Sequence, residues 1–475
     1  MFDKVLVINR GEIALRVIHA CRKLGVKSVA AYSEADADSP HLDEADERVC
    51  IGPGPSSASY LNQDAILRAA EDYRCQAIHP GYGFLSENAL FATRCALHKV
   101  TFIGPSPSAL RVMGDKATAR ATMAARGVTG VPGSKGILSD VESALEIAQK
   151  IGFPVLLKAT AGGGGKGMRV CRTTDDLPRA FEQASMEARS AFGDAGLYME
   201  RFVEGGRHIE FQVLGDRYGH VISLGERECS TQRNNQKVIE EAPSPGVTAD
   251  QRRDLGERIC TLLSEIGYVG AGTVELLRAP TGELFFMEMN TRLQVEHPVT
   301  EMVTGIDLVE WQIRLAAGQR LMITQDQVQM TGHSIECRIN AEDPLLDFRP
   351  APGTLETFTA PEVWRYRLAG PVRLDSHARE GYRIPPLYDS MIGKLIVHAE
   401  TRDDAIELML RSLEQLNIEG VPTTTGLQRY LLQSDTFRSG QYSTPQMSDV
   451  MRAFKTEIDH RSAERVSDQQ ERGER

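Results

Sequence analysis

Residues 270–298, GAGTVELLRAPTGELFFMEMNTRLQVEHP, carry the densest pattern in the chain. Two strand-like runs, Thr273 to Arg278 and Glu283 to Asn290, flank a turn at Thr281-Gly282, as in a β-hairpin. Counting outward from the turn sets Glu275 directly opposite Glu288. Facing carboxylates repel, so the pair is either a solvated acidic face or the seat of a divalent cation. Hard oxygen donors of this kind suit Mg²⁺ or Mn²⁺ that is also bound to ATP phosphates. Beyond Glu288 the alternation predicts an extended segment with Asn290, Arg292, Gln294 and Glu296 on one side and Met289, Thr291, Leu293 and Val295 on the other. An edge strand with a wet side would look similar. Against that stand a metal-type carboxylate, an amide, a guanidinium that can grip a planar oxyanion and a second carboxylate able to act as a base, all in line.

Upstream, the strand Pro154 to Lys158, the loop Ala161-Gly162-Gly163-Gly164-Gly165-Lys166-Gly167-Met168 and the strand Arg169 to Arg172 form a second hairpin. Its glycines permit close backbone approach to phosphate oxygens, which leaves a flexible hairpin and a phosphate lid both open. It is not a Walker A loop: Gly167 follows the Gly-Lys pair where Ser or Thr is needed, and a strand follows in place of a helix. The N-terminal residues read strand (Val5 to Asn9), helix (Ile13 to Leu24), strand (Ser28 to Tyr32), the start of an open α/β sheet. Gly11 stands alone in the first turn, so the three-glycine dinucleotide fingerprint is missing and a Rossmann oxidoreductase is disfavoured.

At 475 residues the chain predicts about two to four domains. No apolar run approaches the roughly 20 residues that span a bilayer. The net charge of -11 gives no basic face for nucleic acid. Eight scattered cysteines without a CxxC pair read as reduced core residues, and Met1 leads straight into a strand with no signal-peptide pattern, so the expected compartment is the cytoplasm. Lys116, Lys158 and Lys237 are candidate phosphate or bicarbonate contacts, but taken singly each reads as a solvated surface charge, and His208 beside Glu210 reads as a structural histidine rather than a catalytic one. After Met451 the chain is polar with little apolar spacing, which predicts a disordered tail.

In order and spacing, the chain resembles the biotin carboxylase subunits and domains of biotin-dependent carboxylases from Met1 to about residue 446. The carrying segments are Asn9 to Ala14, His79 to Asn88, Met113 to Lys116, the glycine loop, Glu288 to Arg292 with Gln294 to Pro298, and Glu336 to Pro344. The resemblance implies an α/β (α+β), three-domain ATP-grasp fold. Residues 1–114 would be a Rossmann-like domain, 115–334 the ATP-grasp domain with its glycine-rich lid at about 131–203, 335–446 the C-terminal domain and 447–475 the tail. It implies that Lys116 and Lys158 contact ATP phosphates, Gly164 and Gly165 cradle them, Glu200, Arg201, Phe202 and Val203 line the adenine pocket, and His208, Asn235 and Gln236 adjoin the nucleotide. Glu275, Glu288 and Asn290 would hold Mg²⁺ or Mn²⁺. Lys237, Arg292, Gln294 and Val295 would seat bicarbonate, Glu296 would be the base, Arg338 would stabilise the biotin enolate and Tyr82 would border the biotin.

Four positions depart from the family's pattern: Asn235 where His is common, Asn234 where Arg is, Arg201 where Lys is, and Ala161 where a fifth glycine can occur. The chain contains no Met-Lys-Met biotinylation motif, so the expected partners are a separate biotin carboxyl carrier protein and a carboxyltransferase. They would form an acetyl-CoA carboxylase of fatty acid biosynthesis, or a related complex acting on propionyl-CoA or pyruvate, and the chain itself would be a homodimer. The rival readings are another ATP-grasp carboxylate-amine ligase and a non-catalytic nucleotide-binding subunit.

Overall fold

The computed structural model describes residues 1–159, 168–192, 195–361 and 370–473. At the N-terminus five short strands, β1 (Lys4–Val7), β2 (Lys27–Ser33), β3 (Glu47–Gly52), β4 (Ala77–His79) and β5 (Thr101–Phe102), pair in parallel in the order β3-β2-β1-β4-β5. Apolar residues of β1 and β2 face both ways, as a sheet covered by helices requires. Ile13, Ala14, Val17, Ile18 and Cys21 of the helix Gly11–Lys23 lie on one flank of it, fully buried.

A small antiparallel sheet follows, β6 (Val155–Ala159), β7 (Met168–Cys171) and β8 (Leu197–Arg201), in the order β7-β6-β8. Helices Val141–Ile151 and Asp176–Phe192 bury Ala144, Ala148, Leu177 and Ala184 against Val155, Leu157 and Met199. Gly164 and Gly165, with Ala161, lie outside the described residues.

The largest element is an eight-stranded antiparallel sheet. Its first six strands are β9 (Arg207–Gly215), β10 (Val221–Arg233), β11 (Gln236–Ala242), β12 (Gly270–Arg278), β13 (Leu284–Asn290) and β14 (His333–Asn340), in the order β13-β12-β9-β10-β11-β14; Met391–Ala399 and Val372–Ser376 complete it. It runs without a break past residue 335, because β14 pairs with β11 on one side and with Met391–Ala399 on the other. Asn234 and Asn235 form the two-residue turn between β10 and β11, with φ of 47° and 67°. That turn type needs positive φ at both central positions, which Asn tolerates better than most side chains.

Two expectations are corrected. The chain does not stay extended to Glu296: β13 ends at Asn290, and Glu296 is the N-cap of the helix His297–Thr304. The Thr291 N–H donates to the Glu87 carboxylate at 2.8 Å in place of a ladder carbonyl, and Pro298 in the first helical turn is preset for helix. Nor is the tail disordered over its described residues, for it belongs to the helix Thr444–Gly473. Met447, Met451 and Phe454 recur at helical spacing and are buried in the C-terminal core with Leu427 and Leu431.

Candidate active site

Sheet register assembles the centre of the site. Glu288 on β13 faces Glu275 on β12, Glu275 faces Glu210 on β9, and Glu210 faces Arg227 on β10, one row across four strands. Arg227 is fully buried and neutralises part of this acid row, binding Glu210 at 2.5 Å and Gln212 at 2.7 Å. From β11, Lys237 enters the same space: its ammonium lies 2.7 Å from Glu210 and 3.7 Å from Glu275, and it donates to Glu296. From β14, Arg338 reaches the other oxygen of Glu296 at 2.7 Å and Glu240 on β11 at 2.6 Å. Glu275 and Glu288 face each other as counted, but the pairs nearer the turn, Arg278 with Leu284 and Leu276 with Phe286, lie one residue off that count, and a bulge at Met287 restores it. Glu296 meets Lys237 and Arg338 even though its backbone has left the strand.

Glu275 is the crowded member. Oε1 accepts from Asn290 at 2.7 Å and Gln294 at 3.1 Å, while His208 Nε2 lies 3.2 Å from Oε2. On its other side the His208 ring is held by Gln232, whose Nε2 lies 2.7 Å from His208 Nδ1. Glu288 is more exposed and pairs with Lys116 at 3.6 Å. Arg292 is spread flat by Glu87 (2.8 Å), Asn290 (3.0 Å) and Gln294 (2.7 Å). The donor set of Glu275, Glu288 and Asn290 is all oxygen and carries two charges, which fits Mg²⁺ or Mn²⁺. His208, Glu210 and Glu275 also bring potential ligand atoms within 4.8 Å of one another.

The electrostatics follow from burial in competition with pairing. Burial pushes the Glu275 carboxyl up, but Lys237 and His208 outweigh it and bring it down to about 2. Glu296, 1% exposed, is likewise pushed up by burial and pulled well below the usual carboxylate range by Lys237, Arg338 and Arg227. Burial moves Glu240 the other way, to about 7, with Arg338 opposing and Glu296 reinforcing the rise.

The residues expected around adenine form a second cluster. Glu200 accepts from both Lys158 and Arg120, fixing the Lys158 ammonium beside β8. Val203 and Leu277 pack on Val131, Ala279 and Phe285, a small apolar patch, and the Arg201 guanidinium sits 5.4 Å from the Phe285 ring. Phe202 is tied by its N–H to the Pro154 carbonyl at 2.8 Å. Gln236 and Lys237 line a small recess with Arg233, Arg338 and Phe348, and Asn235 sits at the hairpin tip beside it. Tyr82 donates to Glu12, and its ring centroid lies 6.0 Å from the Lys394 ammonium. That ammonium in turn bonds the Val295 carbonyl at 3.0 Å. Tyr82 and Lys158 make no direct contact with the Lys237-Glu296-Arg338 group among the described interactions.

Glu210, Arg227, Glu240 and Glu87 do structural work in this site and were not singled out from sequence. For Glu210 a signal existed: His208, Glu210 and Gln212 alternate along β9 as a polar face, the same period-2 pattern that marks residues 290–296. As a whole the site offers an oxygen cage for a divalent ion, two cations on one buried carboxylate, and a splayed guanidinium suited to a planar oxyanion.

Three family models match the chain: "Biotin carboxylase, N-terminal domain" over residues 1–110, "Carbamoyl-phosphate synthase L chain, ATP binding domain" over 115–324, and "Biotin carboxylase C-terminal domain" over 336–449. The chain is 53% identical over 444 residues to the biotin carboxylase of Nostoc sp., covering 93% of this chain and 98% of that one. It is 49% identical over 454 residues to the 2-oxoglutarate carboxylase small subunit of Hydrogenobacter thermophilus, covering 96% and 95%. A crystal structure of the biotin carboxylase domain dimer of that H. thermophilus enzyme, with MgADP, ADP and bicarbonate, superposes with a TM-score of 0.88 at 49% identity, over 96% of this chain and 99% of that one.

Proposed function

Because the chain belongs to the biotin carboxylase family, we propose that it uses ATP and bicarbonate to carboxylate biotin borne on a separate carrier protein. It is an ATP-dependent ligase. The observation that carries the division of roles is the buried Glu296, with Lys237 on one oxygen and Arg338 on the other, beside the Glu275-Asn290 oxygen set.

In this reading bicarbonate enters between Lys237, Arg292, Gln294 and the Val295 backbone. Glu296 takes its proton, and the freed oxygen attacks the γ-phosphorus of ATP, releasing ADP and forming carboxyphosphate. Glu275, Glu288 and Asn290 hold Mg²⁺ or Mn²⁺, which neutralises phosphate charge when bound. Lys116 and Lys158 contact the phosphates and, with Gly164 and Gly165, hold the nucleotide under a lid at about 131–203; Glu200 to Val203, His208, Asn235 and Gln236 line its other sides. Carboxyphosphate breaks down to CO₂ and phosphate, and the phosphate takes the N1′ proton of biotin. Arg338 then faces the negative ureido oxygen, a preplaced cation at the point where charge develops. Tyr82 borders the biotin ring. Residues 1–114, 115–334 and 335–446 are the working divisions of the chain.

We assign as partners a biotin carboxyl carrier protein and a carboxyltransferase, and a second copy of this chain as dimer mate; the similar H. thermophilus domain is a dimer. The final acceptor never enters this site, so acetyl-CoA, propionyl-CoA and pyruvate carboxylation are all compatible with it. No helix among the described residues is long and apolar enough to cross a membrane, which fits the cytoplasm. The test is ADP release with ATP, Mg²⁺ and bicarbonate, with and without free biotin. Stimulation by biotin is expected; ADP release indifferent to both bicarbonate and biotin would return the chain to the other ATP-grasp ligases or to an inactive subunit.

A further inference from the structure

Behind Arg338 the sheet buries more carboxylates than it partners. Glu240 on β11 and Glu336 on β14 are register partners, and both are 0% exposed. One oxygen of Glu240 accepts from Arg338 at 2.6 Å; its other oxygen and both oxygens of Glu336 have no hydrogen-bond partner. Lys394, the register partner of Arg338 on Met391–Ala399, is drawn away: its ammonium lies 3.0 Å from Glu12 and 3.9 Å from Asp375 and donates to the Val295 carbonyl. A metal ion is not the answer, because neither cluster that gathers three donor atoms within 4.8 Å among the described residues includes Glu240 or Glu336.

Two facing, fully buried carboxylates that share a single donor, the Arg338 guanidinium on Glu240, are strongly disfavoured if both are ionised. Like-charged neighbours resolve this by titrating as a pair that keeps one proton. We propose that Glu240 and Glu336 hold one proton between them, so that Glu240 remains the anion that fixes the guanidinium of Arg338 while Glu336 stays a neutral acid. The assignment rests on the reading of Arg338 as the biotin contact and makes Glu240 and Glu336 positioning residues for it. The titratable and charged groups around the pair are Lys237 from β11, Arg338 and Cys337 from β14, Cys229 from β10, Lys394 from Met391–Ala399 and Glu296 at the start of its helix, with Glu12 and Asp375 behind Lys394. Burial drives both members upward, Glu336 well above the carboxylate range and Glu240 to about 7.

The pair therefore gains its second proton as pH falls through neutrality, and the grip on Arg338 loosens. Glu240→Gln is expected to raise the KM for free biotin about ten- to hundredfold, the range for losing a charged hydrogen bond, and to remove the acid limb of kcat/KM for biotin. Glu336→Gln replaces a neutral acid by a neutral amide and should leave that limb where it is. A biotin KM unmoved in Glu240→Gln, or a limb shifted by about one pH unit or more in Glu336→Gln, would overturn the proposal. If Glu240→Gln fails to fold, the infrared carbonyl stretch of a buried protonated carboxylic acid decides: a band present at neutral pH in the wild-type chain and lost in Glu336→Gln or Glu336→Asp supports the pair, and its absence from the wild-type chain or its persistence in the variant refutes it. If the wild-type chain shows no biotin-stimulated turnover, the functional reading fails, and the infrared band still decides the pair.

Discussion

Glu296→Gln separates base chemistry from scaffolding. The side chain is 1% exposed and its two oxygens take Lys237 and Arg338, so the amide fills the same space but loses the charge and the ability to accept a proton. Removing a positioned base typically costs about 10²- to 10⁴-fold in rate, or about 2.7–5.4 kcal/mol at 1.36 kcal/mol per decade. The structural loss is smaller, because Lys237 keeps Glu210 at 2.7 Å and Arg338 keeps Glu240 at 2.6 Å. Both cations stay anchored, and no buried charge is stranded. The nucleotide cluster around Lys158 and Glu200 has no direct bond to Glu296. Bicarbonate-dependent ADP release should therefore fall about a hundredfold or more, while calorimetric ADP affinity stays within about threefold of wild type. Turnover near the wild-type rate would refute the assignment of Glu296 as the base.

Glu275→Gln and Glu288→Gln should each raise the Mg²⁺ concentration for half-maximal turnover by about tenfold or more, seen by titrating metal at fixed ATP; an unchanged requirement would remove that residue from the cage. Phe454→Ala should lower stability by about 3 kcal/mol in urea melts, since Phe454 is buried beside Tyr430 with ring centroids 5.3 Å apart; a disordered tail would show no effect. Burial holds His79 down at about 3, below the ordinary 6.5 of the unfolded chain. The unfolded state thus binds the extra proton first, and stability is lost as pH falls below 6.5, by about 2 kcal/mol from this residue at about pH 5. His79→Asn should flatten that part of the decline in Tm between about pH 7.5 and 5; the same decline in both proteins would contradict it.

Period-2 patterning was legible in the hairpin of residues 273–290. Counting from Thr281-Gly282 placed Glu275 against Glu288, and that pair is observed, although the turn itself is one residue longer on one side than counted and the bulge at Met287, invisible to the count, compensates. The parallel N-terminal start and the β6-β7 pairing were legible for the same local reason. The polar face of β9 that carries Glu210 was open to the same reading, but its place beside Glu275, and that of Glu240 beside Glu336, was not, because β9 pairs with β12 and β11 with β14 across long intervening segments, and alternation within one strand says nothing about which distant strand lies beside it. The path from Thr291 to Glu296 was misread because the Thr291 N–H goes to the side chain of Glu87, a residue of the N-terminal third. The C-terminal helix was missed because its buried face rests on three residues, Met447, Met451 and Phe454, thinly spread in a polar segment. Gly164 and Gly165, read as a phosphate cradle, fall outside the described residues.

The cations of the site are each paired with a carboxylate of the same chain. Lys237 is held by Glu210 and Glu296, Arg338 by Glu240 and Glu296, Arg292 by Glu87, Lys158 by Glu200, and Lys116 lies beside Glu288. Anionic substrates must therefore displace carboxylates to gain their cations, which costs binding affinity. The exchange also alters the base. With both cations on it, Glu296 sits well below the usual carboxylate range and is a weak proton acceptor. In the proposed reading bicarbonate takes up Lys237, so burial is opposed by Arg338 and Arg227 alone and the same carboxylate becomes more basic. A carboxylate proposed as the base would thus be strengthened by the arrival of the molecule it deprotonates.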